Sequence, residues 1–376
     1  MLKSFFVSLL LICISVCKAQ TAAEYYEKGN DLKDEKKIKE ALAAYNEATR
    51  LDPNYKEAWY EMGWCSNDLK DYTAAITYLR KARPMWSSVP KVYFELGYAF
   101  VKTNQYDSAS SNFKRCLELK PDYSLAHKEL GNVAYFKDDY ATALEYFKKY
   151  EEYAKNAITD YLYWYRKGFM QNAVKNYEAA TVSLKKSLES KKDYTNTYLE
   201  LGFAASRLKQ NDVAIGYYNK AIELDSKNHI SYNGIGEVYR DNIKDREEAI
   251  RWYKKALAVK SDERKACFGI GYCLNSLGKY AEAESYLKKA IEQEQAYTAA
   301  YVELGYCYYM QGFNSLALEN FNKAIELSPA NENSRYYSGL VYIAQKNKTM
   351  AQKMVDKLKE LGSKNAATLQ EKVNKM

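Results

Sequence analysis

The stretch that decides the fold is residues 195–228, TNTYLELGFAASRLKQNDVAIGYYNKAIELDSKN. Tyr198 and Leu201 in its first half, and Ala214, Tyr218 and Ala221 in its second, recur every three or four positions, so each half presents one helical stripe. Gly202 falls in the middle of the first helix, where glycine costs up to ~1 kcal/mol relative to alanine. A close approach of two antiparallel helices, with Gly202 and Ala214 where the axes come nearest, supplies the reason for tolerating it.

The same arrangement occurs ten times. Glycines stand at 29, 63, 97, 131, 168, 202, 236, 271, 305 and 339, at intervals of 34, 34, 34, 37, 34, 34, 35, 34 and 34 residues. Twelve positions after the glycine comes Ala41, Ala75, Ala109, Ala143, Ala180, Ala214, Ala283, Ala317 or Ala351, with Ala249 displaced by one. Four positions before it stands a large ring in most units, among them Trp59, Tyr93, Trp164 and Tyr232, with His127 and Cys267 in the same slot. Pro53, Pro121 and Pro329 end the second helix at equivalent places, since a residue without an amide hydrogen stops one helix and admits the next. Each unit therefore reads as helix, turn, helix, stop.

An aromatic, Leu-Gly, Ala, a second aromatic, Ala and an occasional Pro on a 34-residue period resembles the tetratricopeptide repeat family over residues 22–365. The resemblance implies an all-α solenoid of about ten helix-turn-helix repeats forming a right-handed superhelix. It also implies that the first helices line a concave groove, usually filled by a peptide or a helix of a partner. Repeats one to four occupy 22–157 and repeats five to ten occupy 161–365. Three extra residues, Ile158-Thr159-Asp160, lengthen the junction between these blocks, and unit seven carries one extra residue within Asp241 to Glu247. Residues 366–376 read as a short polar helix covering the open end, the kind of cap that repeat arrays need.

Residues 1–19 differ from all that follows: Lys3, an apolar run from Phe5 to Val16, then Cys17-Lys18-Ala19 before Gln20. This is the pattern of a signal peptide cleaved after Ala19, and it predicts an exported protein of the periplasm or the extracellular space. The apolar run is shorter than the roughly 20 residues a membrane-spanning helix needs, so no transmembrane segment is expected. Val16 is bulkier than the small residue that precedes a lipidated cysteine, which argues against modification of Cys17. Without Lys3 and Lys18 the formal charge falls from +8 to +6 and stays mixed along the chain, so no nucleic-acid surface is implied.

Chemistry is hard to find. His127 and His229 lie in different units and cannot assemble a metal site or assist a nucleophile locally, and His127 reads as a core residue. Gly234-Ile235-Gly236 and Gly269-Ile270-Gly271 sit within helices and follow no strand, so they are not phosphate loops; they either clear side chains from the groove or are simply tolerated. Gly278 reads as a turn residue. Cys65, Cys116, Cys267, Cys273 and Cys307 replace small apolar residues, which predicts five free, buried thiols and no disulfide. Glu27, Glu61, Glu95, Glu129, Glu200 and Glu303 recur two places before the glycine. A position repeated in six of the ten units reads as a solvated or groove-lining face, unlike a catalytic pair, which is singular. No enzyme, no cofactor and no metal are expected.

The position just after the register glycine, often asparagine or small in the family, here carries Trp64, Tyr98, Phe169, Phe203, Tyr272 and Tyr306. One turn earlier stand Tyr60, Phe94, Tyr165 and Phe268, which serve either as a second row of the ladder or as packing between neighbouring first helices. The ladder breaks at Lys128 and Asn132 and again at Asn233 and Glu237. Lys128 and Asn132 match the first element of the family's clamp for a C-terminal carboxylate, but Arg166, Asn196 and Glu200 depart from the rest of it. The expected function is a non-catalytic scaffold holding a partner's peptide or helix in an aromatic-lined groove. A glycan-binding accessory of envelope polysaccharide assembly or export, stacking sugars on the same rings, and a passive spacer are the alternatives.

Overall fold

The computed structural model describes residues 20–154 and 157–376, all of its regular structure being helical. The residues of the expected signal peptide lie outside this range. Contacts divide the chain into two compact units, one ending at Ile158 and the other beginning at Thr159.

The first unit holds four hairpins: α1 (Ala22–Asp34) with α2 (Ile38–Leu51), α3 (Lys56–Asp68) with α4 (Tyr72–Met85), α5 (Pro90–Lys102) with α6 (Tyr106–Leu119), and α7 (Ser124–Phe136) with α8 (Tyr140–Tyr153). The second unit begins with α9 (Tyr161–Ala173) and α10 (Tyr177–Ser190), then α11 (Thr195–Arg207) and α12 (Asn211–Leu224). It continues with α13 (His229–Glu237) and α14 (Arg246–Val259), then α15 (Arg264–Ser276) and α16 (Tyr280–Gln293). It ends with α17 (Thr298–Met310) and α18 (Asn314–Leu327), α19 (Glu332–Ala344) and α20 (Lys348–Glu360), and a final helix α21 (Asn365–Asn374). The extra residue of the seventh hairpin is absorbed as a π turn, Val238–Ile243, that prolongs α13.

Each hairpin turns through one residue of positive φ at the end of its first helix: Lys36, Lys70, Asn104, Asp138, Lys175, Lys209, Lys244, Gly278, Gly312 and Lys346. Lysine gains nothing from that conformation, so the packing of the paired helices imposes it.

The register glycines make room for a specific side chain sixteen or seventeen places on. A Cβ on Gly97 would lie 2.7 Å from the ring of Phe113, one on Gly131 2.3 Å from Phe147 and one on Gly271 2.6 Å from Leu287. Tyr45, Phe113, Phe147, Leu184, Tyr253, Leu287 and Phe321 are thereby completely buried. The register alanines are also completely buried, which keeps the second helix equally close. Gly339 differs: its partner is Leu369 of α21, at 2.4 Å from the Cβ position.

A repeated bond ties five of the turns between hairpins. Trp59 Nε1 donates to the Pro53 carbonyl at 2.8 Å, and the hydroxyls of Tyr93, Tyr198 and Tyr232 donate to the carbonyls of Ser87, Lys192 and Ser226. His127 Nε2 takes the same role toward the Pro121 carbonyl at 2.8 Å, which defines its tautomer and accounts for a histidine in an aromatic slot. The five cysteines of the described residues are buried and unpaired. Burial pushes the Cys65 and Cys116 thiols up to about 12 and those of Cys273 and Cys307 up to about 11.

Candidate functional site

The two rows of rings have different jobs. Where it carries a ring, the earlier row stitches one hairpin to the next, in most cases through the residue that precedes the following first helix. Phe94 stacks on Tyr123 at 5.1 Å, Tyr165 meets Tyr194 at 5.1 Å, and Phe268 meets Tyr297 at 5.0 Å. Tyr26 and Tyr55 repeat the contact at 5.1 Å in the first hairpin. Tyr60 is 6% exposed, packed edge-on against Trp86 at 5.9 Å and covered by the Lys91 ammonium. These rings are walls between repeats.

The later row is half-exposed. Tyr98, Phe203 and Tyr306 each stand edge-on to the tyrosine that opens the preceding second helix, Tyr72, Tyr177 and Tyr280, at 6.4, 6.0 and 6.2 Å. Phe203 is 40% exposed. Trp64 lies under the Lys33 ammonium at 5.2 Å, and Tyr272 has the guanidinium groups of Arg240 and Arg246 within 5.7 and 5.5 Å. Lys128 lies 6.0 Å from the Tyr150 ring, and Asn132 is buried with its amide donating to Glu129 at 3.2 Å.

Of the glutamates two places before the glycine, Glu27 is exposed, whereas Glu61, Glu95, Glu200 and Glu303 are drawn into contacts between first helices. Asn67 Nδ2 donates to the backbone carbonyl and the carboxylate of Glu95, at 3.1 and 2.8 Å; Asn172 does the same to Glu200 at 3.0 and 2.8 Å, and Asn275 to Glu303 at 2.9 and 3.0 Å. In the first hairpin Lys33 replaces the asparagine and reaches Glu61 at 2.7 Å. Each contact joins the first helices of successive hairpins. Burial raises the carboxyl pKa of Glu95, Glu200 and Glu303, only partly offset by the asparagine bond. Single-position reading missed this, because the asparagine lies four residues after one glycine and its glutamate two before the next.

Where the stitching rings are absent, a cavity of about 680 Å³ opens within the second unit. Leu199 and Asn233 occupy the ring position in α11 and α13, and Asn228 and Glu263 precede the next first helices. Leu199, Phe203, Tyr218 and Ile230 give the cavity an apolar surface; Tyr165 and Phe169 form one end, and Asn172, Glu200, Asn233 and Glu237 add polar groups. Glycine replaces the repeated glutamate at 234, also in the lining, and a Cβ there would lie 2.4 Å from the Tyr218 ring. Tyr218 is thus held between Gly202 and Gly234, and Tyr253 between Gly236 and Gly269. The second glycine of each pair admits a tyrosine from the preceding hairpin. The break in the aromatic ladder at Asn233 and Glu237 is the cavity itself. In the first unit a smaller cavity of about 240 Å³ is lined by Trp64, Asn67, Tyr72, Glu95 and Tyr98.

Among the described residues no group of three or more His, Cys, Asp or Glu side chains is placed to hold a metal ion, and no helix is long and apolar enough to cross a membrane.

Comparison with known proteins agrees with this architecture. Tetratricopeptide-repeat profiles match residues 26–90, 94–157, 195–228, 231–266 and 274–332. The chain belongs to the tetratricopeptide repeat family. In sequence it is similar to tetratricopeptide repeat protein 37 of Xenopus laevis, 29% identical over 116 residues, which are 30% of this chain and 7% of that protein. The match to superkiller complex protein 3 of Mus musculus is likewise confined to 7% of its length, at 27% identity over 117 residues, 30% of this chain. Among solved structures, the Cut9–Hcn1 hetero-tetramer of APC/C aligns over 94% of this chain and 97% of its own, with a TM-score of 0.52 at 12% identity. Yeast Tom70 aligns over 94% and 95%, with a TM-score of 0.51 at 14% identity. These two establish the solenoid fold. Chains of this family are in general protein-interaction scaffolds.

Proposed function

We propose that the chain is a non-catalytic scaffold that holds a peptide or helix of a partner protein against the half-exposed rings of its first helices, with the cavity between Tyr165 and Lys265 as a principal contact. The observation that carries the reading is that cavity: about 680 Å³, faced by Phe169, Phe203, Leu199 and Ile230, with a few polar groups to fix orientation. Apolar surface of this kind favours occupation, and Phe203 and Ile230 at 40% and 53% exposure are the side chains with most to bury.

Capture of partner proteins from extracts of the native host by the unmodified chain, beside a Phe203→Ala variant, tests it. Loss of an anchoring ring should weaken the specific interaction by roughly 1–4 kcal/mol. Identical capture by both would remove the cavity from the reading, and binding of oligosaccharides alone would transfer the same rings to a glycan ligand. The N-terminal pattern supports export with a mature chain starting at Gln20, which N-terminal sequencing of the native protein would establish or refute.

A further inference from the structure

The cavity in the second unit has a chemical bias. Its ionisable lining groups are Glu200, Glu237 and Glu263 against Lys265 and His229. Glu263 is already engaged, by His229 Nε2 at 3.3 Å and Lys260 at 3.2 Å, and Glu200 accepts from Asn172. The Glu237 side chain has no hydrogen-bond partner among the described residues. The nearby Arg240 turns its guanidinium to Asp241, with Nε and Nη2 donating at 2.8 and 2.7 Å, while Lys265 and Arg207 act on Glu237 only through space. Beside it Asn233, 4% exposed, lines the cavity, and its buried amide oxygen accepts no hydrogen bond. The half-buried Glu237 carboxylate, which Arg240, Lys265 and Arg207 influence only at a distance, and the buried Asn233 amide oxygen would both gain from a donor placed beside them.

An anionic ligand would meet these carboxylates, and a purely apolar one would desolvate Glu237 further. A long side chain with an aliphatic stem and a cationic head matches both parts: the stem lies on Leu199, Phe203 and Ile230, and the head reaches Glu237 and Glu200. We infer that this cavity receives a lysine or arginine side chain of the partner polypeptide, paired with Glu237 and seated on Phe203. The inference rests on the peptide-binding reading above and supplies its specificity.

Panning a displayed random peptide library on the full chain tests both, followed by fluorescence polarisation of the enriched peptides. The expected result is a shared Lys or Arg position among the enriched sequences, with binding weakened by raised salt. Glu237→Gln should weaken it about tenfold or more, the size of a lost charge-assisted hydrogen bond, while Glu237→Asp retains most of it. Circular dichroism of each variant verifies the fold. Enriched peptides that need Phe203 but share no basic residue, or that bind Glu237→Gln as tightly, overturn the cation site and leave the groove reading intact. Absence of any enrichment overturns the two together.

Discussion

A register glycine in this chain is worth more than the helix propensity it gives up. Replacing Gly97 by alanine gains up to ~1 kcal/mol of helix preference but places a Cβ 2.7 Å from the fully buried Phe113 ring. Overpacking of that kind costs about 1–3 kcal/mol, so the net effect of Gly97→Ala is destabilising. Gly216, within α12, has no heavy atom near its Cβ position, and there Gly216→Ala should stabilise by about 0.5–1 kcal/mol. Urea titration of both variants beside the unmodified chain measures the two signs. A gain at both sites would mean that the ring beside Gly97 gives way freely.

At the scale of paired helices, the asparagine–glutamate contacts carry a pH dependence. The carboxyl pKa values of Glu95, Glu200 and Glu303 are raised in the folded chain, so the folded state holds protons that the unfolded chain releases. Their contribution is most favourable below the ordinary glutamate value and is lost as pH rises through the raised values. Changing all three to glutamine keeps an acceptor for Asn67, Asn172 and Asn275 and abolishes the titration. The thermal midpoint of that variant should gain on the unmodified chain more at pH 7 than at pH 5. Equal gains at both pH values would show that the three carboxyls titrate normally.

The helices were legible from local spacing, because the glycine, the alanine and the rings obey one period that a single chain displays ten times. Gly278 as a turn residue was equally plain, and its φ is +75°. The jobs of the rings were not, since stitching depends on a partner about 29 positions away: Phe94 with Tyr123 and Tyr165 with Tyr194 are pairs only once hairpins stack. The cavity was half legible. Asn233 and Glu237 were visible as a break, but that the break coincides with Gly234, Asn228 and Glu263 follows only from their meeting in space.

The whole array must also be finite. In α21, Ala366, Leu369 and Val373 are buried, and Leu369 fills the place at Gly339 that a second-helix side chain fills in the other hairpins. Ser363 donates to Glu332, fixing the helix to the start of α19. A repeat end without such a cover offers a surface shaped to accept one more hairpin, and every copy of the chain has hairpins to offer. Deleting residues 365–376 should therefore yield species whose sedimentation grows with concentration, and a chain that stays monomeric without α21 would show that its last hairpin is not adhesive. If growth occurs, twelve residues are what separates a discrete molecule from the monomer of a fibre.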